Sequence, residues 1–337
     1  MGRDDWGTYT TSWKAPDYEV DDNGKVVGLE CGHEPNNWGR WGELDERGTT
    51  NFITPEKVAE AARLIRDGRV ISMAARLEAA ESFDPTRAPI QRYWRFTGAD
   101  YIAGTAINAA YEKVQYVDDY INMSTHGSTQ WDGLVHAAEE DAFYNGFWIG
   151  TSESISGANR CSIHNQAESL CGRGVLLDVA RHKGVQRLDA GYAITPEDLD
   201  EVIAAQGVEV REGDILIVRT GHMGWWYELP PGGKADWHQG SPGLSLRCVE
   251  WIHGKSIAAI AMDNPAVEVM PAEDPTQLLP VHPRLIRDLG LSLGELWHLE
   301  PIADDCAEDG RYEFFVAAQP LNIQNSAGSP LNPLAIK

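Results

Sequence analysis

Between Met123 and His136 the sequence reads Met-Ser-Thr-His126-Gly-Ser-Thr-Gln130-Trp-Asp132-Gly-Leu-Val-His136, with two imidazoles, a carboxylate and an amide set among small residues. Imidazole nitrogen and carboxylate oxygen are donors that a divalent cation takes, and a histidine beside such an ion can accept a proton from water. His126, Gln130, Asp132 and His136 share parity, so an extended backbone would turn all of them to one face. Full extension would still hold His126 and Gln130 roughly 13 Å apart, too far to share an ion. The chain must curl, and Gly127 with Ser128 can provide the curl while Gly133 gives a second bend. Asp132 then reaches the ion bound by Gln130, and His136 stands beside it as a proton acceptor. On these residues alone a solvated polar loop, with His136 bonded to a backbone carbonyl, remains the alternative.

The elements that must carry this segment are those of a layered mixed α/β chain. Thr54-Pro55-Glu56 supplies an N-cap and a proline at N1 for a helix to Asp67, which Gly68 ends. A strand is expected over Val70 to Leu77. Short apolar runs at Gly174–Val179, Asp214–Arg219, Ile257–Met262 and Tyr312–Ala318 predict buried strands. Helices are expected from Thr195 to about Ala205, from Leu246 to Ile252, and from His282 until Gly290, with Leu291 to Leu296 returning as a strand. Residues 1–37 are polar and turn-rich and predict an irregular arm on the surface or on a neighbouring chain; 38–337 shows no linker and no repeat and predicts a single catalytic domain.

Composition narrows the function. Fifty-one acidic residues against 28 basic ones give a net charge of −23, which repels phosphate backbones and anionic lipid, so no nucleic acid and no membrane is expected as partner. Five cysteines without a CxxC pair, and no apolar leader behind Met1, point to reduced thiols and a cytoplasmic protein. Walker, GxGxxG and GxSxG patterns are missing, so neither a nucleotide cofactor nor a serine nucleophile elbow is expected. Twelve tryptophans exceed what the core needs. Trp131, Trp225 and Trp226, with His222 after a strand, are candidates to hold a flat small-molecule substrate.

The stretch His126-Gly-Ser-Thr-Gln130-Trp-Asp132-Gly-Leu-Val-His136 resembles the H-x-G-T-H-x-D-x-P-x-H motif of the metal-dependent cyclase family, which includes bacterial kynurenine formamidases and isatin hydrolases. The blocks from Trp41 to Pro55, Gly174 to Ala180 and Gly213 to Gly221 resemble further family blocks in the same order. The resemblance implies that His126 and Asp132 are metal ligands, that His136 is the catalytic histidine, and that His282 and Glu295 complete the metal site. Gln130 stands where the family has a ligand histidine, and Leu134 where it has proline. An amide oxygen is a weaker, harder donor than imidazole, so one divalent ion, Mn or Zn, is expected, with manganese suited at least as well as zinc.

The resemblance also implies a swivelling β/β/α fold with a sheet-built barrel flanked by helices, assembled as a homodimer or homotetramer. The function expected is a metal-dependent hydrolase that opens an amide, imide, lactam or lactone bond of a small cyclic molecule with activated water, His136 taking the proton. A polyketide-type cyclase or dehydratase, or a ligand-binding relative without activity, are the alternatives.

Overall fold

The computed structural model describes residues 16–78, 82–106 and 114–337. Nine strands form one sheet: β1 (Val70–Ser72), β2 (Gln130–Asp132), β3 (Cys171–Asp178), β4 (Ile215–Arg219), β5 (Ala259–Met262), β6 (Ser292–Glu295), β7 (Glu313–Ala317), β8 (Gly328–Pro330) and β9 (Leu334–Ile336). Their spatial order is β1-β9-β7-β3-β4-β5-β6-β2-β8, and the sheet curls into a half-barrel flanked by helices. The four central strands β3 to β6 run parallel, while β2 and β8 on one wing and β7, β9 and β1 on the other are antiparallel. This is the mixed α/β architecture expected from the sequence.

Strands β3 to β5 carry apolar runs because both faces are covered. Along β4, Leu216 and Val218 join Val175, Leu177, Ile260, Met262 and Leu293 in one core, whereas Ile215 and Ile217 join Leu176, Ala259, Ala261, Phe314 and Val316 in the other. The first core is closed by Leu199 and Val202 of helix α2 (Pro196–Gln206) and by Val249 and Ile252 of α4 (Cys248–Lys255). The second is closed by Ile302, Ala303 and Cys306 of α5 (Glu300–Asp309). Helix α1 (Pro55–Ala61) precedes these in sequence, and α3 (His222–Glu228) lies between α2 and α4. Thr195 caps α2 by accepting from Asp198 N while Asp198 reaches back to Thr195 N, and Gly207 ends the helix at φ 63°.

Three elements differ from expectation. The helix expected to run to Asp67 ends as α-helix at Ala61 and closes in a 3-10 turn at Leu64. The strand over Val70 to Leu77 stops at Ser72, because its partner β9 is preceded by Pro333, which accepts from Met73 N but has no N–H to return. Met73 O takes its hydrogen from His298 N instead, and the chain leaves the sheet toward Thr129, whose hydroxyl accepts from Ala75 N. The helix expected from His282 is a wider π-helix, Pro283–Asp288, with His282 at its N-cap. Of the arm, residues 1–15 lie outside the described residues. Residues 16–37 are irregular and lie on the chain's own 141–149 segment and π-helix, through Trp148 N to Gly24 O and Asn37 N to Asp288 O. Among the described residues no helix is long and apolar enough to cross a membrane.

Candidate functional site

Strand β2 is only three residues long, and its alternation divides the work between two faces. Gln130 and Asp132 turn to one side. Trp131 turns to the other, where it is fully buried against Trp297 (ring centroids 5.1 Å apart) and donates from Nε1 to Ala318 O. The sequence-based role of Trp131 in substrate binding is therefore corrected: the indole is core, on the face opposite the candidate ligands. Gly294 on β6 pairs with Trp131, and a Cβ there would stand 2.8 Å from the indole ring.

Antiparallel pairing of β2 with β6 sets Glu295 directly opposite Gln130. Neighbours across such a pair share a face, and Gln130 Nε2 donates to Glu295 Oε2 at 2.8 Å and to Asp132 Oδ1 at 3.2 Å. On the other side β8 pairs with β2, Gly328 opposite Asp132. Upstream of β2 the chain does curl: a turn at Ser124–Gly127, closed by Gly127 N to Ser124 O, brings His126 Nε2 to 3.5 Å from Asp132 Oδ1. Arg87 donates to His126 O at 2.6 Å and Thr125 Oγ1 lies 3.2 Å from Nδ1, which fixes the ring. Downstream, the turn that Gly133 opens, with His136 N donating to Gly133 O, stacks His136 on His126 at 4.1 Å. His282 arrives from the π-helix N-cap, its Nε2 3.3 Å from Glu295 Oε1.

The sequence-predicted His126, Gln130, Asp132, His136, His282 and Glu295 are thus brought together. Ligand atoms of His126, Asp132 and His136 lie within 4.8 Å of one another, as do those of Asp132, His282 and Glu295, so Asp132 belongs to both groups. Gln130 and Asp132 are 0% exposed and Glu295 2%, so unpaired charge there is costly. Yet His126 Nε2, Gln130 Oε1, Asp132 Oδ2 and Glu295 Oε1 have no hydrogen-bond partner. Four buried acceptors without a donor fit a cation in their midst. Burial holds the His126 imidazole down to about 4 despite the Asp132 charge, so its ring is a neutral donor at pH 7. Burial, reinforced by the Asp132 charge, pushes the Glu295 carboxyl up to about 8. Burial would lower His282 as well, but the hydrogen bond to Glu268 and the Glu295 carboxylate beside the ring outweigh it and raise the imidazole to about 10. Burial dominates the Glu295 shift, and the neighbouring carboxylates that of His282.

His222, Trp225 and Trp226 gather on α3 rather than in this cluster. His222 is buried, stacks on Trp237 at 4.6 Å, and has no hydrogen-bond partner at Nε2; burial lowers its pKa to about 3. Trp226 packs against Trp237 and Phe83, while Trp225 lies under the Arg187 guanidinium. Leu296, the residue after Glu295, joins this aromatic group and connects it to the cluster. Sequence reasoning missed Glu268, Arg87 and Gly328. Glu268 had one legible sign: it is the lone charge in Pro265-Ala-Val-Glu-Val-Met, an acid in an apolar run.

A model of the Cyclase family matches residues 85–269, more than half of the chain. A solved structure described as a novel cyclase is 44% identical, with a TM-score of 0.85 over 90% of this chain and 99% of that one. Isatin hydrolase A from Labrenzia aggregata, bound to benzyl benzoate, is 19% identical with a TM-score of 0.54, covering 79% of this chain and 93% of its own. An isatin hydrolase bound to the product analogue thioisatinate is 15% identical with a TM-score of 0.55, covering 84% and 98%. These last two share the fold. No curated protein matches the sequence.

Proposed function

This chain belongs to the cyclase family, and from that premise we propose that it is a metal-dependent hydrolase that adds water across an amide, imide, lactam or lactone bond of a small cyclic molecule. The observation that carries the reading is the set of four buried acceptors left without donors at His126, Gln130, Asp132 and Glu295. His126, Gln130, Asp132, His282 and Glu295 would hold the ion. A bound divalent cation supplies charge that makes water more acidic and polarises a carbonyl. Three of the five donors are oxygens and hard, which suits manganese at least as well as zinc.

His136 is the proton carrier in this scheme. It is partly exposed where the ligand residues are buried, and its ring stacks on His126. From there it can take a proton from water and return it to the departing nitrogen or oxygen. Gln130 steadies two carboxylates through its amide nitrogen and leaves its oxygen for the ion. His222, Trp226, Trp237 and Phe83 are buried and pack together with Leu296, the neighbour of Glu295, so they would back the wall against which a flat ring rests rather than touch it. A cyclic amide is the favoured substrate class, because the fold is shared with proteins named as isatin hydrolases.

The test is turnover of a panel of cyclic amides, imides and lactones before and after chelation, with mass analysis of the product. Activity lost to the chelator, restored by Mn, and a product heavier by one water are expected. Full activity of metal-free protein overturns the reading, and a product lighter by one water favours a polyketide-type cyclase or dehydratase. In the same assay His136→Ala should retain the ion and lose about 100-fold or more in kcat; normal turnover by that variant removes His136 from the scheme.

A further inference from the structure

Glu268 sits behind the candidate ligands and is buried, 1% exposed. Its Oε2 accepts from Val281 N at 3.0 Å, and its Oε1 accepts from His282 N at 3.0 Å and from His282 Nδ1 at 2.5 Å. The loop that delivers it is held in an unusual conformation. Val267 has φ 56°, a left-handed backbone that a β-branched residue rarely adopts. Asn264 imposes it, accepting from Val267 N at 2.9 Å while donating to Pro242 O at 2.7 Å. Gly243 makes the close approach possible, since a Cβ there would fall 2.2 Å from the Glu268 carbonyl carbon. Strain of this kind persists where surrounding structure over-determines it, and functional sites are where it collects.

A carboxylate on Nδ1 requires the proton there, which leaves Nε2 as the nitrogen turned toward the candidate ligands, 3.3 Å from Glu295 Oε1. Resting on the metal-centre reading above, we propose that Glu268 is a positioning residue that fixes the tautomer and ring orientation of His282, so that Nε2 is presented to the cation. The Asn264–Val267 loop exists to hold that carboxylate in place.

The experiment is titration of the purified chain with Mn2+ alone, followed by electron paramagnetic resonance of the free ion, for wild type, Glu268→Ala and Glu268→Gln, with 15N spectra of histidine-labelled protein alongside. Loss of a partner behind a ligating histidine weakens metal binding about 10- to 100-fold. Glu268→Ala should show that loss and the disappearance of the protonated Nδ1 signal of His282. Glu268→Gln keeps an oxygen acceptor and should recover most of both. Folded Glu268→Ala that binds Mn2+ as wild type does overturns the proposal. Should the alanine variant not fold, Glu268→Asp, which cannot reach Nδ1, replaces it; equal affinity for Asp and Gln variants then overturns the proposal. If wild type itself takes up no Mn2+, the metal-centre reading fails, while a retained Nδ1 proton that vanishes in Glu268→Ala still assigns the tautomer to Glu268.

Discussion

A methyl group added at Gly328 would stand 2.2 Å from His126 Nε2, a contact that only displacement of the imidazole can relieve. Gly328→Ala should therefore cost about 1–3 kcal/mol of stability and weaken Mn2+ binding, read by chemical denaturation and by metal titration. Unchanged affinity would show that His126 is not a ligand. Gln130 offers a second single-residue test. Gln130→His replaces a hard oxygen by imidazole nitrogen and removes the amide bridge between Asp132 and Glu295. Competition between the two ions should move toward zinc by about tenfold, and a preference that stays with manganese would argue that the amide oxygen does not touch the ion. His126, Asp132 and His136 were legible because their types and spacing are those of metal and proton chemistry within one short stretch. Trp131 was misread for a reason the sequence itself contains: its parity is opposite to that of Gln130 and Asp132, so a strand sends it into the core. Glu268 stood out only as a lone acid in an apolar run, and its pairing with His282 was not legible, since that residue lies beyond a long loop and the contact depends on a left-handed Val267.

Elements explain how so few residues hold the cluster. The parallel strands β3 to β5 and the antiparallel β7 were readable as apolar runs, and the α2 start as Thr-Pro-Glu-Asp, because burial and capping leave local marks. The end of β1 was not, because it is set by Pro333 across the sheet. On α3, His222 gives a prediction with a definite sign. Its folded pKa of about 3 lies below the usual 6.5, so below about pH 6.5 the unfolded chain binds the extra proton. Its contribution to stability is complete above that value and falls away as pH drops toward 3. Between pH 7 and pH 5 the wild type should lose about 2 kcal/mol relative to His222→Phe, at about 1.4 kcal/mol per pH unit below 6.5. Parallel denaturation curves for the two proteins at the two pH values check it; a constant gap would mean that His222 is charged or solvated in the fold.

For the whole molecule, a net charge of −23 and a buried group of carboxylates make the same demand at two ranges. The dispersed surface charge is met by salt, whereas the buried Asp132 and Glu295 are out of its reach and would be met by the proposed ion in contact. An ion that binds only the folded chain stabilises it by about 2.7 kcal/mol at a hundredfold excess over Kd, so Mn2+ should raise Tm and a chelator should return it. A Tm indifferent to both would speak against a structural hold on metal.

The pairing of Trp131 with Gly294 also has a consequence for engineering. A three-residue strand has little of its own to choose between neighbouring alignments, and a slip by one position would swap indole for carboxylate on the ligand side. The large ring fits only opposite the residue that has no side chain, so the pair works as a key that admits one alignment. Grafting this cluster onto another scaffold should then require carrying the hidden tryptophan and its glycine along with the visible donors.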